Sequence, residues 1–180
     1  MSSRIMIAVS GKSGCGNTSV SRIIADTLGL RLINYTFHDM ARERGISFEQ
    51  MCLLAEQDSQ YDLHVDRTQV RFASQGDCVL GSRLAIWLLK DADLKAYLDA
   101  PLEVRALRIA GREGLDYQPT LKATAERDER DKLRYSRLYN IDTDQYEFAD
   151  IVVDAVAGDQ YYLADLIIRH LRAQKLGARS

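Results

Sequence analysis

GKSGCGNTS, residues 11–19, decides the fold. It runs Gly11 to Thr18 as G-x-x-x-x-G-x-T, and it stands between an apolar stretch and an amphipathic one. Glycines at these spacings let successive backbone N–H groups converge on one point. A helix starting at the end of such a loop adds its partial positive charge, so the loop has the build of a phosphate cradle. Gly11, Lys12, Ser13, Gly14, Cys15, Gly16, Asn17, Thr18 and Ser19 are the candidate residues, and the Thr18 hydroxyl is placed to hold Mg²⁺. The lysine that normally precedes the hydroxyl pair is absent, and Asn17 stands there. Lys12 is the nearest replacement cation, and Asn17 retains one neutral hydrogen-bond donor. The alternative is a tight strand-to-helix turn without a ligand.

Working outward, Ile5–Val9 (IMIAV) is a short continuous apolar run, as expected of a strand buried on both faces. After the loop, Val20, Ile23, Ile24 and Leu28 recur at helical spacing, and Gly29 ends the pattern. Leu30–Asn34, Cys78–Leu80, Leu94–Leu98 and Ile151–Val153 are four further strand candidates. Between the second and third lies a helical region from Phe37 to Ala73, with breaks at Gly45 and near Ser59. A helix opens after Pro101 and closes at Gly114, and a second, highly charged one spans Pro119 to Tyr139. Leu163, Leu166, Ile167, His170 and Leu171 form the stripe of a final helix, in which His170 reads as an edge-of-core residue. Alternation of strands and helices, the first strand carrying a glycine loop, predicts an α/β fold with a parallel sheet and helices on both faces.

The totals narrow the function classes. A chain of 180 residues is one domain with room for a core. A net charge of −2 provides no field for nucleic acid or an anionic membrane, so any polyanion site must be a local basic cluster. Cys15, Cys52 and Cys78 make neither a disulfide framework nor a metal-ligand spacing and read as small hydrophobes. With no leader pattern and no long apolar run, the expectation is a reduced, cytoplasmic protein.

The basic clusters are on two helices. Arg105, Arg108 and Arg112 follow i, i+3, i+7 spacing, which puts all three on one face. Arg127, Arg130 and Arg134 repeat it, with Asp131 available to pair with Arg127 or Arg134. Stacked like charges cost a helix a few tenths of a kcal/mol per pair, so the pattern points to a clamp around transferring phosphate. The competing reading is a solvated face laced by Glu126–Arg130 and Asp128–Lys132 pairs. Arg83 follows the third strand, where a parallel sheet opens its ligand crevice. Asp66 and Arg67 fall in the helical region, and no Ser-His-Asp or Cys-His arrangement follows from spacing.

These pieces together resemble the nucleoside monophosphate kinases, and among them the short, second type of cytidylate kinase. The resemblance rests on VSGKSGCGNTSVSRIIADTLGL, ARERGIS, DLHVDRTQ, SRLAIWLLKDADLKAYLDAPLEVRALRIAGREG, ERDERDKLRY and FADIVVD, in that order, from Arg4 to about Leu171. It implies a three-layer α/β/α P-loop NTPase fold, a five-stranded sheet in the order 2-3-1-4-5, a monophosphate-binding lobe at about residues 35–76 and a mobile lid at about 113–140. It implies transfer of the γ-phosphoryl of ATP to CMP or dCMP with Mg²⁺ by a monomer that binds small nucleotides. Residue by residue, the loop Gly11–Ser19 would hold the ATP phosphates. Arg108 and Arg112 would serve base and phosphates. Arg127, Arg130 and Arg134 with Asp131 would form the lid's catalytic set, and Arg83, with Arg67, would grip the acceptor phosphate. Asp66 and His38 complete the acceptor candidates. Two departures fall on the acceptor side. NYTFHDMA carries Tyr35, Thr36 and His38 where relatives show a glycine-aspartate step and an arginine, and GSR at 81–83 lacks an acidic residue before glycine-arginine. A kinase for another small phosphate acceptor and a nucleotide-binding regulator without turnover are the alternatives.

Overall fold

The computed structural model describes residues 4–177. Five parallel strands form one sheet in the order β2-β3-β1-β4-β5. They are β1 Met6–Ser10, β2 Arg31–Ile33, β3 Cys78–Gly81, β4 Leu94–Asp99 and β5 Ile151–Asp154. Along β1, Ile7 and Val9 face one side and Ala8 the other, and all three are fully buried. That two-sided burial is why the strand reads as a continuous apolar run rather than an alternating one. On one face Ile7, Val9, Leu98 and Val153 pack beneath α1 (Asn17–Leu28) and α8 (Gln160–Gly177). On the other, Ala8, Leu80 and Tyr97 pack against Ile86 of α5 (Ala85–Leu88), a one-turn helix too short to show a period in the sequence.

The helical region divides where its breakers predict, into α2 (Phe37–Arg44), α3 (Phe48–Gln57) and α4 (Gln60–Ala73). Gly45 closes α2 in the left-handed conformation. Their core is Tyr35, Met40, Ala41 and Met51, separate from the sheet's clusters. α6 (Leu102–Glu113) ends at Gly114, and α7 (Tyr117–Tyr139) packs along it. No helix among the described residues is long and apolar enough to cross a membrane.

Strand register sets the position of the site. Val9 pairs with Gly81, Ser10 with Tyr97 and Asp99 with Asp154, so the carboxyl ends of four strands lie level. The turns that leave those ends emerge side by side, at the crevice where parallel sheets hold ligands. α1 also lies unusually close to β3: a Cβ on Gly81 would stand 2.4 Å from Ser21 Oγ.

Candidate functional site

The loop of residues 11–16 climbs from β1 to α1 with Gly14 at φ 87° and Gly16 at φ 100°, conformations that glycine adopts without a Cβ penalty. Gly14 is also pressed on α6, since its Cβ would meet the Arg105 carbonyl oxygen at 2.8 Å. Cys15 N donates to Lys12 O at 3.2 Å, while the amides of Ser13, Gly14 and Gly16 have no partner among the described residues. α1 begins at Gly16 without a side-chain cap and with no acidic residue in its first turn. α3, in contrast, is closed by a reciprocal Ser47–Gln50 capping box, with bonds of 3.0 and 3.1 Å. The start of α1 therefore keeps its dipole and donors open to an anion.

One cavity adjoins this loop, and a second adjoins the first. A loop cavity of about 760 Å³ is walled by residues 12–20, Arg108, Arg112 and the start of α8. A larger helix cavity of about 1250 Å³ lies between the α3–α4 corner and α6–α7, with Arg130, Arg134 and Arg137 on its wall. Arg83, Ile109 and Arg127 belong to both. Arg127 makes no ion pair or hydrogen bond among the described residues. Loss of water, followed by the neighbouring Arg83 charge, lowers its pKa. Arg130 and Arg137 are likewise unpaired among the described residues.

Around that junction runs a chain of alternating charge. Arg83 Nη1 holds Asp131 Oδ2, Asp131 Oδ1 takes Arg134 Nη2 at 3.2 Å, and Arg134 Nη1 reaches Asp62 at 3.0 Å. Asp131 thus pairs with Arg83 and Arg134, and not with Arg127. Burial raises the pKa of Asp62, although the Arg134 charge opposes it. Asp62, which opens the DLHVDRTQ stretch but was given no role, lines the helix cavity with Thr120 and Thr124, which lie outside every quoted motif. Neither the Glu126–Arg130 nor the Asp128–Lys132 pair forms. Glu126 lies 3.9 Å from Lys122, Asp128 turns inward to Arg105, and Lys132 binds Asp144 at 2.5 Å.

Several expected residues are redistributed. Arg105 leaves the face it shares with Arg108 and Arg112. It is 3% exposed and lines neither cavity, because Asp128 and two backbone carbonyls take its guanidinium. Arg108 stays at the loop cavity with Nη2 on Ala155 O at 2.6 Å, and Arg112 pairs with Glu113. Lys12 lines the loop cavity, but its ammonium is held by Asp144 at 2.8 Å. Asn17 turns its amide back across the loop to Gly11 O at 2.6 Å, so its donor serves the turn. Thr18 and Ser19 stand open at the cavity wall.

Asp66, Arg67 and His38 line neither cavity. Asp66 is held inside by the Tyr139 hydroxyl, and burial lifts its pKa to about 6. Arg67 points to solvent, and His38 stacks on Phe48 at 3.7 Å. The cysteines are unpaired. Cys15 and Cys78 are buried, Cys15 with its thiol pushed up to about 11 by that burial, and Cys52 lines the helix cavity.

The residues present fit a magnesium ion that arrives with its ligand. Among the described residues there is no cluster of three ligating side chains that would form a cage. Asp159, the single carboxylate of the loop cavity, already accepts from the amides of Tyr161 and Tyr162. Thr18 leaves one open oxygen, and Mg²⁺ commonly takes one or two protein ligands with phosphates and waters for the rest.

Comparison with known proteins agrees with this geometry. The pattern of the cytidylate kinase-like family matches residues 6–156. Cytidylate kinase 2 of Borrelia garinii subsp. bavariensis is 51% identical over 152 residues, covering 82% of this chain and 85% of that one. Cytidylate kinase of Pyrococcus horikoshii is 39% identical over 153 residues, covering 84% and 80%. Among solved structures, shikimate kinase from Acinetobacter baumannii in complex with shikimate superposes with a TM-score of 0.67 over 97% of this chain and 96% of that one, at 19% identity. Deoxyadenosine kinase from M. mycoides with bound dATP gives 0.58 over 93% and 100%, at 19%. At that identity they attest the shared P-loop kinase fold, whereas the sequence relatives attest kinship: with its phosphate loop, strand order and paired cavities, the chain belongs to the cytidylate kinase-like family.

Proposed function

We propose that this protein transfers the γ-phosphoryl group of ATP to CMP or dCMP. The observation that carries the reading is the meeting of the two cavities at Arg83 and Arg127. A triphosphate seated on the loop amides in the loop cavity, taken as the donor site, would present its terminal group to that junction. A monophosphate in the helix cavity, taken as the acceptor site, would present its oxygen from the other side, in line for direct transfer. The relatives named as cytidylate kinases support a nucleoside monophosphate kinase over a regulator without turnover.

In this reading α2–α4 is the acceptor lobe and α7 the lid. The loop amides and the open start of α1 bind the donor phosphates. Arg112 and Arg127 stabilise charge on the transferring group, and Arg130 and Arg134 approach it from the lid. Asp131 holds Arg83 and Arg134 until phosphate competes for them. The Thr18 hydroxyl would help hold Mg²⁺, which would supply charge neutralisation at the donor phosphates. The acceptor phosphate is ionised at neutral pH, so no strong general base is needed. α7 also excludes water, which would otherwise take the phosphoryl group. Both cavities are built by one chain, consistent with a monomer, and three unpaired cysteines suit the cytoplasm.

The test is release of ADP from ATP and Mg²⁺ with CMP, dCMP, UMP and AMP offered in turn. Release that depends on CMP is expected. Release with a different acceptor alone would reassign the helix cavity, and ATP binding without release under any acceptor would remove the kinase reading.

A further inference from the structure

Among the described residues Arg105 has the most complete set of side-chain bonds, and no role in phosphate contact accounts for it. It lies on α6, is 3% exposed and lines none of the cavities. Its Nε donates to Ala100 O at 3.1 Å, at the end of β4. Nη1 donates to Ser13 O at 3.1 Å, within the phosphate loop. The two terminal nitrogens also hold the Asp128 carboxylate of α7 as a fork, at 3.3 and 2.6 Å. One side chain thus joins the sheet, the loop and the lid helix.

The bond to Ser13 has a geometric consequence. No peptide in the described chain is cis. In a planar trans peptide the C=O and the following N–H point in opposite directions. The Ser13 carbonyl is drawn inward to a guanidinium that lines no cavity, so the Gly14 N–H of the same peptide is turned outward. Ser13 and Gly14 are on the wall of the donor cavity, and that N–H has no partner among the described residues. Released from Arg105, the peptide can rotate and present its carbonyl to the phosphates, replacing a donor with a repelling oxygen. Gly14, at φ 87°, makes such rotation easy, since without a Cβ it reaches positive and negative φ at similar cost.

We propose that Arg105 is the positioning residue of the phosphate loop, and that Asp128 makes the loop's grip on polyphosphate depend on the docking of α7. The proposal rests on the loop being the donor-phosphate site. Lid docking and donor binding then support each other: α7 fixes the guanidinium, the guanidinium fixes the peptide, and the peptide offers its N–H.

The test uses inorganic tripolyphosphate with Mg²⁺ as probe, with CMP binding as the control, both by calorimetry on the full chain. The Gly14 amide resonance is followed in parallel. In the wild type it moves on adding tripolyphosphate. Arg105→Lys keeps the charge and loses the fork. It is expected to weaken tripolyphosphate binding by about tenfold to a hundredfold, to leave CMP binding within about twofold, and to abolish the Gly14 shift. Asp128→Asn keeps the Ser13 bond and is expected to lose about threefold to tenfold with a reduced shift. If Arg105→Lys does not fold, Asp128→Asn decides alone. Unchanged tripolyphosphate affinity and an unchanged Gly14 shift in a folded variant would overturn the proposal, as would equal losses for both ligands. A wild type that binds no tripolyphosphate would instead remove the loop reading on which the proposal stands.

Discussion

The loop cavity and the helix cavity share a boundary at Arg83 and Arg127 but are built by different means. The loop side, proposed to hold the donor, is chiefly backbone, with the amides of Ser13, Gly14 and Gly16 unpaired among the described residues and the start of α1 uncapped. The helix side, proposed to hold the acceptor, is chiefly side chains, set by pairs such as Arg134–Asp62 and by Arg130 and Arg137, whose guanidiniums are unpaired among the described residues. A backbone site tolerates many side chains but few backbone changes. A side-chain site changes specificity with single substitutions while the fold stays intact. Of the two cations common to both, Arg83 is already paired with Asp131, so Arg127 is the residue whose loss neither side can replace.

Arg127→Ala tests that last point and carries the largest expected effect. Turnover should fall by about 10³-fold, with no loss of melting temperature, because the guanidinium has no partner to abandon among the described residues. Turnover within tenfold of wild type would show that the two cavities do not exchange a phosphoryl group at Arg127. Gly14→Ala addresses the backbone side. A Cβ there meets Arg105 at 2.8–3.0 Å in a left-handed conformation. ATP-analogue affinity should drop by about a hundredfold and stability by about 2 kcal/mol, while CMP affinity is retained. Retained ATP affinity would erase the contrast between the two cavities.

The acceptor side has its own proton dependence. Asp66 has a folded pKa of about 6 against an ordinary 3.8, because burial outweighs the hydrogen bond it accepts from the Tyr139 hydroxyl, which pulls the other way. Between those values the folded state holds a proton that the unfolded chain has released. Stability contributed by this group therefore falls as pH rises from about 4 to about 6 and is level above that, by about 3 kcal/mol in total. Asp66→Asn should remove that part of the slope in urea unfolding measured across the same range, and an unaltered slope would show that Asp66 titrates normally. The smallest effect separates two lid arginines. Arg130→Ala should lower turnover by roughly tenfold at constant stability. Arg134→Ala should lower both, since Arg134 also holds Asp62, Asp131 and Tyr135. Equal stability in the two variants would mean that those bonds contribute nothing to holding α7.

The same contrast explains what could be read from the amino-acid order. The loop, the parallel α/β class and the three-helix division at Gly45 and Ser59 were legible because they depend on local spacing and glycine conformation, whereas the strand order came from the family resemblance. The arginine faces were legible as helical spacing but not as partners. Arg105 meets Asp128 across 23 residues and Lys12 meets Asp144 across 132, and no local rule links such positions. Helical spacing therefore placed Arg105 with Arg108 and Arg112, whereas tertiary packing put it inside. His38 and Arg67 were drawn from the acceptor lobe by charge and position. The Phe48 stack and solvent take those two, and the cavity is lined instead by Thr120 and Thr124, ordinary residues in sequence, and by Asp62, to which its motif assigned no role.

The tight approach of α1 to β3 bears on how this chain can change. Any side chain at position 81 collides with Ser21, whose Cβ would be 2.8 Å away and whose hydroxyl is closer still. An ancestor or an engineered descendant with a carboxylate at that strand end must therefore first shrink residue 21 or lift the helix. The order of mutational steps is dictated by space, and Gly81→Glu alone is a dead end even where Ser21→Gly followed by Gly81→Glu is open.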